Sequence, residues 1–121
     1  MNLSLVNRFF VPHRILDIGA NVGQFRTQAL STWPGSYIFS IEASDACEPY
    51  LKKLTDDYII CLLARDRSKY DFYTRKSDPT CTGNSIYREL TEFYSDDQLN
   101  IIKKDGIKLD DLLNKESTYD L

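Results

Sequence analysis

A strand, a glycine turn and a helix follow one another near the start of this chain, and they constrain its fold more than any other feature. Residues 14–18 form a short apolar run, residues 19–23 contain two glycines, and apolar residues then recur at helical spacing as far as Leu30. Residues 33–35, Trp-Pro-Gly, end that helix. This order is typical of an α/β protein in which parallel strands alternate with helices.

The same pattern continues along the chain. Residues 37–41 are rich in β-formers and lead to Glu42, and residues 45–54 have the cap and the apolar spacing of a helix. Residues 58–64 are nearly all apolar, as expected of a strand buried on both faces. Strands joined by helices form a parallel sheet with right-handed crossovers. The sequence therefore predicts one α/β domain, residues 1–121, with an open and mostly parallel sheet.

The remainder of the sequence carries weaker signals. Residues 70–74 alternate as a half-exposed strand, and residues 75–85 contain turn pairs that we interpret as a surface excursion rather than a lid. Residues 86–94 are expected to be a short helix or irregular. Two extended pieces are expected at residues 100–104 and 107–109, followed by a short helix at 110–114.

Composition and charge exclude several classes of partner. The chain has 121 residues, 42% of them hydrophobic and 27% charged, which is the composition of a soluble globular domain. Its net charge of -3 argues against binding to nucleic acid or to anionic membranes. Residues 58–64 are too few to span a membrane, and no signal peptide is recognisable, so we expect a cytoplasmic protein. Three widely spaced cysteines and one histidine suggest neither a disulfide framework nor a metal site.

The end of the sequence bears on the edge of the sheet. In an open α/β sheet the first strand is central, and later strands add on its other side. The sequence stops at Leu121, where the pattern would next require a buried strand. We therefore expect a truncated domain, or a partner that covers the exposed strand edge, which includes self-association.

The glycine turn has the wrong spacing for a dinucleotide. Starting from Gly19, the G-x-G-x-x-G fingerprint requires glycine at positions 21 and 24, but these are Asn21 and Gln24. Their side chains would crowd a pyrophosphate. No Gly-Lys-Ser/Thr follows, so a phosphate-binding P-loop also fails. An NAD(P)-binding oxidoreductase module stays open as an alternative, since it shares the strand, turn and helix.

Two acids at neighbouring strand ends favour a cofactor without phosphates. Asp17 lies at the end of the first predicted strand and Glu42 at the end of the second. S-adenosyl-L-methionine carries an ammonium and a sulfonium and has no phosphate, so it suits a carboxylate beside backbone amides. Gly19 and Gly23 would let the backbone approach this cofactor. Glu42 could accept hydrogen bonds from both ribose hydroxyls.

Four blocks, ILDIGANVGQF, IFSIEAS, LLARDRSKYDFY and GIKLDDLL, together resemble the FkbM-type S-adenosylmethionine-dependent methyltransferases in order and spacing. The resemblance covers residues 14–113 and implies a Rossmann-like class I methyltransferase fold. Two features depart from the family pattern. Ala43 stands where the family usually has proline, and the family's next block, a strand with lysine and aspartate, should begin near residue 120 and is missing.

The resemblance also implies a cofactor site and a reaction. The residues that it places around S-adenosyl-L-methionine are Asp17, Gly19, Ala20, Asn21 and Gly23 at the methionine and adenosine, Glu42 at the ribose, and Ala43, Ala64 and Asp66 beside the adenine. The expected reaction is methylation of an oxygen of a small molecule or a sugar. A non-enzymatic module that binds a cofactor or a protein is the other alternative.

No residue of this sequence is assigned as the catalytic base, which we expect outside it. Histidine is the side chain most often used as a general base near neutral pH, but the position of His13 before the first strand favours an exposed side chain. Four tyrosines are interpreted as half-buried packing residues rather than as a surface that stacks on a sugar: Tyr70, Tyr73, Tyr87 and Tyr94.

Overall fold

Two three-stranded sheets and four short helices make up the chain in a computed structural model, which describes residues 1–121. The strands are β1 (Arg14–Ile18), β2 (Tyr37–Glu42), β3 (Tyr58–Ile60), β4 (Leu62–Leu63), β5 (Lys69–Arg75) and β6 (Leu99–Ile107). The helices are α1 (Leu3–Val6), α2 (Gln24–Thr32), α3 (Glu48–Leu54) and α4 (Leu109–Leu112), and 3-10 turns lie at Asp45–Cys47 and Glu92–Tyr94. The predicted α/β class is confirmed, and no helix is long and apolar enough to cross a bilayer.

The first sheet is parallel and has the order β1-β2-β3. Side chains of directly paired residues on neighbouring strands face the same side of a sheet. Ile15 of β1 pairs with Ile38 of β2, so both contribute to one apolar layer. They pack with Ala29 and Trp33 of the α2 region and with Leu3 of α1. This core holds the first strand-turn-helix unit in the geometry that the sequence predicts.

The second sheet has the order β4-β6-β5, with β4 parallel and β5 antiparallel to β6. Only Cys61 separates β3 from β4. Its N–H donates to the Glu42 carbonyl at 2.8 Å, whereas the N–H of Ala64 donates to the Ile107 carbonyl at 3.0 Å. The chain therefore passes from pairing with β2 to pairing with β6, and the predicted single strand over residues 58–64 is split. The predicted burial is confirmed for Cys61 and Leu62 but is wrong for β3, all of which is half-buried.

Most predicted elements are present with small differences in length. The predicted helix over residues 45–54 is a 3-10 turn followed by α3, which has Pro49 in its first turn. The two extended pieces near the C-terminus form one strand, β6. A side chain at Gly106 would collide with the Asp66 carbonyl, so this glycine permits close strand packing instead of marking a break.

The far edge of β1 contacts the last residues of the chain. The Asp120 N–H donates to the Arg14 carbonyl at 2.7 Å, and the Leu16 N–H donates to the Leu121 carbonyl at 2.7 Å. β1 is an edge strand of its sheet, and this C-terminal segment contacts the edge that β2 does not occupy. Ile18, nearer the glycine turn, is 55% exposed.

Candidate functional site

A cavity of about 230 Å³ lies at the carboxyl ends of the parallel strands. Open α/β sheets bind their ligands at this edge. Its lining residues are Ile18, Gly19, Asn21, Ile41, Glu42, Ala43, Cys61, Leu62, Leu63, Cys81, Thr82 and Asn84. We refer to it as the strand-end cavity.

The turn after β1 has an unusual backbone. Gly19, Asn21 and Gly23 all have positive φ, at 78°, 50° and 89°. Ile41 ties this turn to β2, because its carbonyl accepts the N–H groups of Gly19 at 2.8 Å and of Ala20 at 3.0 Å. No atom lies within 4 Å of where a Gly19 Cβ would be. Gly19 therefore leaves its side of the cavity open for a ligand.

Gly23 has a different role from Gly19. A Cβ on Gly23 would collide with the Leu54 side chain and contact Leu51, so this glycine allows the turn to pack on α3. Gly23 does not line the strand-end cavity. The structure therefore gives Gly23 a packing role, and its predicted role at the cofactor stays a prediction.

Glu42 is 9% exposed, and backbone groups surround its carboxylate. Oε2 accepts the Asn21 N–H at 2.7 Å, and Oε1 accepts the N–H groups of Ala43 at 2.9 Å and Ser44 at 2.8 Å. An ionised carboxylate has about four acceptor positions. One position is therefore free for a ligand hydroxyl, so the predicted contact with both ribose hydroxyls would require the release of one N–H.

Asp17 is only 7% exposed and lies outside the strand-end cavity. Burial raises the pKa of its carboxyl, although the Ser40 hydroxyl, 3.5 Å from Oδ2, and the positive charge of Arg26 oppose that rise. Arg26 is also buried, and its Nη1 donates to the Ile38 carbonyl at 2.7 Å. Nothing in the local sequence marks Arg26 as buried, because its partner lies on another element.

The loop that follows β5 closes one side of the cavity. The Asn21 side-chain amide donates to the Thr80 carbonyl at 2.7 Å, and the Ser44 hydroxyl donates to the Pro79 carbonyl at 3.2 Å. Three further residues of this loop line the cavity: Cys81, Thr82 and Asn84. Residues 76–79 are exposed, as expected of a surface excursion, and the later part of the segment also forms a wall of the cavity, which that interpretation did not include.

Two cysteines with different environments line the strand-end cavity. Burial by itself would raise the pKa of the Cys81 thiol, but a Gly83 backbone hydrogen bond and the Arg75 and Tyr94 side chains outweigh it and lower the pKa. Arg75 Nη1 and the Tyr94 hydroxyl each lie 3.7 Å from Cys81 Sγ. The pKa of Cys61 is raised by burial. Cys81 is thus the more nucleophilic of the two.

Asp66 and Ala64 are not brought to the strand-end cavity. Asp66 Oδ1 accepts the Ser68 N–H at 2.9 Å and the Tyr70 hydroxyl at 2.8 Å, and hydrogen bonds from Ser68 and Tyr70 lower its pKa to about 2. This carboxylate therefore stabilises the turn before β5. Ala64 lines a second cavity instead.

Of the predicted cofactor residues, the strand-end cavity contains Gly19, Asn21, Glu42 and Ala43. Those outside it are Asp17, Ala20, Gly23, Ala64 and Asp66. His13 is exposed, as predicted. No three His, Cys, Asp or Glu side chains are grouped as ligands for a metal ion. No family model, curated protein or solved structure matches this chain.

Proposed function

We propose that this chain is the cofactor-binding part of an S-adenosylmethionine-dependent methyltransferase of the FkbM type, with the Rossmann-like class I fold. Its substrate in this proposal is an oxygen of a small molecule or a sugar. The observation that carries the proposal is the strand-end cavity, whose wall combines the open backbone of Gly19 with the buried carboxylate of Glu42.

The wall residues suit a nucleoside with a charged thioether chain. The free acceptor position on Glu42 can take a ribose hydroxyl, and the exposed backbone at Gly19 admits close approach of the ligand. Ile18, Ile41 and Leu62 provide an apolar surface for an adenine ring. Asn21 directs its side chain to the Thr80 carbonyl, at the position where the dinucleotide fingerprint requires glycine.

The proposal requires the loop over the cavity to move on binding. Its volume of about 230 Å³ lies below the roughly 300–1,000 Å³ of typical small-molecule sites. Two side-chain hydrogen bonds hold the loop, from Asn21 to Thr80 and from Ser44 to Pro79. Their loss would open the cavity without disturbing the strands.

Asp17 lies outside the strand-end cavity, and burial makes its charged form costly. A buried carboxylate with one hydrogen bond of 3.5 Å is poorly compensated for the loss of water. Titratable groups with such perturbed pKa values cluster at functional sites. The nearby positive charge of Arg26 offsets part of this cost.

In methyl transfer the protein chiefly has to align the acceptor. S-adenosyl-L-methionine supplies an already activated methyl group when bound, and correct placement of the reacting atoms removes much of the barrier. A hydroxyl acceptor also needs a base. No described residue has that role in this proposal.

Isothermal titration of the folded chain with S-adenosylhomocysteine, S-adenosyl-L-methionine and NAD tests the proposal. We expect both sulfur nucleosides to bind and NAD to give no heat. Glu42→Gln should weaken the binding of S-adenosylhomocysteine by about tenfold or more, and a tenfold change corresponds to about 1.4 kcal/mol of binding free energy. Glu116→Gln changes an exposed acid outside the cavity and is the control. Binding of NAD alone would support the oxidoreductase module, and binding of neither would support a non-enzymatic module.

A further inference from the structure

A second cavity, of about 440 Å³, lies beside β5 and is rich in tyrosine. We refer to it as the tyrosine cavity. Its lining includes Ala64, Arg65, Tyr70, Tyr73, Ile86 and Tyr87. The expectation that these tyrosines only pack in half-buried positions is wrong for Tyr87, which is 79% exposed.

Backbone pairing builds one wall of this cavity. Tyr73 and Ser85 form an isolated antiparallel bridge, with Tyr73 N–H donating at 2.8 Å and Ser85 N–H donating at 3.2 Å. This bridge places Ile86 and Tyr87 next to β5. On the other side, the Tyr70 hydroxyl donates to Asp66 at 2.8 Å, which fixes the Tyr70 ring.

The tyrosine cavity and the strand-end cavity are lined by different residues that follow closely on one another in two chain segments. Leu63 lines the strand-end cavity, and the next residue, Ala64, lines the tyrosine cavity. Asn84 lines the first, and Ile86 lines the second. The two cavities are therefore adjacent along these segments, and the proposal requires the acceptor hydroxyl to reach past them to the methyl donor.

We propose that the tyrosine cavity binds a pyranose ring of the methyl acceptor, an inference that rests on the proposed methyltransferase function. Tyrosine combines an apolar ring face with a polar hydroxyl, and a pyranose likewise presents C–H groups on its faces and hydroxyls at its rim. The volume lies within the range of small-molecule sites. Few aliphatic side chains line the cavity, so a lipid chain would fit its chemistry poorly.

The charges around the cavity favour a neutral sugar. Arg65 lies 3.5 Å from the Asp66 carboxylate, and Asp71 pairs with Lys103. The two charged lining residues, Arg65 and Asp71, have opposite signs and each has a neighbour of opposite charge, so the cavity lining carries no net charge to select an ionic ligand. Their remaining donor and acceptor positions can serve sugar hydroxyls.

Saturation-transfer NMR with three neutral probes tests this site: methyl α-D-mannopyranoside, methyl β-D-glucopyranoside and methyl β-D-galactopyranoside. At least one should bind, and Tyr87→Ala should weaken it by about fivefold, equivalent to roughly 1 kcal/mol for one aromatic contact. Tyr87 is exposed, so its truncation leaves the core intact. Tyr50→Ala is the control, since Tyr50 is a 51% exposed tyrosine of α3 outside the cavity.

Each outcome separates the sugar site from the proposed function. No glycoside binding, or equal affinity in wild type and Tyr87→Ala, overturns the sugar site, and a parallel titration with S-adenosylhomocysteine shows whether the cofactor site stands. Glycoside binding without S-adenosylhomocysteine binding overturns the acceptor role together with the methyltransferase proposal. Binding of 4-nitrophenol with no glycoside binding assigns the cavity to planar aromatic ligands and also overturns the inference.

Discussion

The Glu42 carboxylate accepts the backbone N–H of Asn21 at 2.7 Å, which ties the end of β2 to the turn after β1. Asn21 has a φ of 50°, so this hydrogen bond stabilises a backbone conformation that few residues other than glycine adopt. The same carboxylate binds the N–H groups of Ala43 and Ser44. One acid therefore shapes two walls of the strand-end cavity before any ligand binds.

Glu42→Gln should lower the free energy of unfolding by about 1–3 kcal/mol, because the new amide presents N–H groups where backbone N–H groups need an acceptor. Urea unfolding followed by circular dichroism measures this change. Glu116→Gln, at an exposed position, should unfold like the wild type. Equal stability of Glu42→Gln and wild type would show that the three backbone contacts contribute nothing.

Asp17→Asn should stabilise the protein near neutral pH, because it removes a carboxylate whose charge is disfavoured by burial. Burial raises the pKa of Asp17, so its contribution to stability is greatest below the ordinary carboxyl value of 3.8 and is lost as the pH rises through the raised pKa. The asparagine variant lacks this dependence. Thermal unfolding at several pH values measures the difference, and a less stable variant at neutral pH would contradict the burial argument.

Alkylation by iodoacetamide at mildly alkaline pH should modify Cys81 before the other cysteines. The Cys81 pKa is lowered, whereas burial raises the pKa of Cys47 to about 11. Mass spectrometry of the digested protein gives the rate at each site. Arg75→Gln should slow alkylation of Cys81 severalfold because the guanidinium no longer stabilises the thiolate, and Arg67→Gln is the control, since Arg67 pairs with Asp111 instead.

The same alkylation experiment reports on occupancy of the strand-end cavity. Cys81 lies in its wall, so saturating S-adenosylhomocysteine should protect it. Protection by S-adenosylhomocysteine and not by NAD would agree with the proposed function. Identical rates at Cys81 and Cys61 in the free protein would contradict the assigned environments.

Local sequence patterns predict the repeated units of the fold, in which a strand is followed by a helix. β1, α2 and β2 follow from apolar spacing and from turn residues within a few positions, and Glu42 follows from its place at a strand end. The cavity could be located from these elements because parallel strands bring their carboxyl ends to one edge.

Contacts between distant residues could not be predicted in this way. The hydrogen bond from Asn21 to Thr80 joins residues 59 positions apart, so no periodicity or spacing records it. The split at Cys61 depends on which strands pair on each side of it. Such pairings are decided by tertiary packing, which also buries Arg26 in an otherwise ordinary helix.

Gly23→Ala and Gly19→Ala form a matched pair for the glycine turn. Both positions have positive φ, which costs about 1–3 kcal/mol for a residue with a side chain. Only at Gly23 would the new methyl collide with Leu54, so Gly23→Ala should be the less stable variant. Gly35→Ala, which has open space and no positive φ, is the control for urea unfolding. A reversed order would contradict the packing role of Gly23.

Asp120→Asn should weaken the contact between the C-terminal segment and β1 at neutral pH more than in acid. The backbone N–H groups of Arg14 and His13 lower the pKa of Asp120, and His13 N–H donates to Oδ2 at 2.7 Å. A lowered carboxyl pKa contributes stability that is present above the ordinary value of 3.8 and is lost as the pH falls through the lowered pKa. Wild type should therefore lose more stability than the variant between about pH 6 and pH 2. Asp110→Asn, at an exposed position of α4, is the control. If the stability of wild type and of Asp120→Asn changed equally with pH, Asp120 would not hold the C-terminal segment on β1.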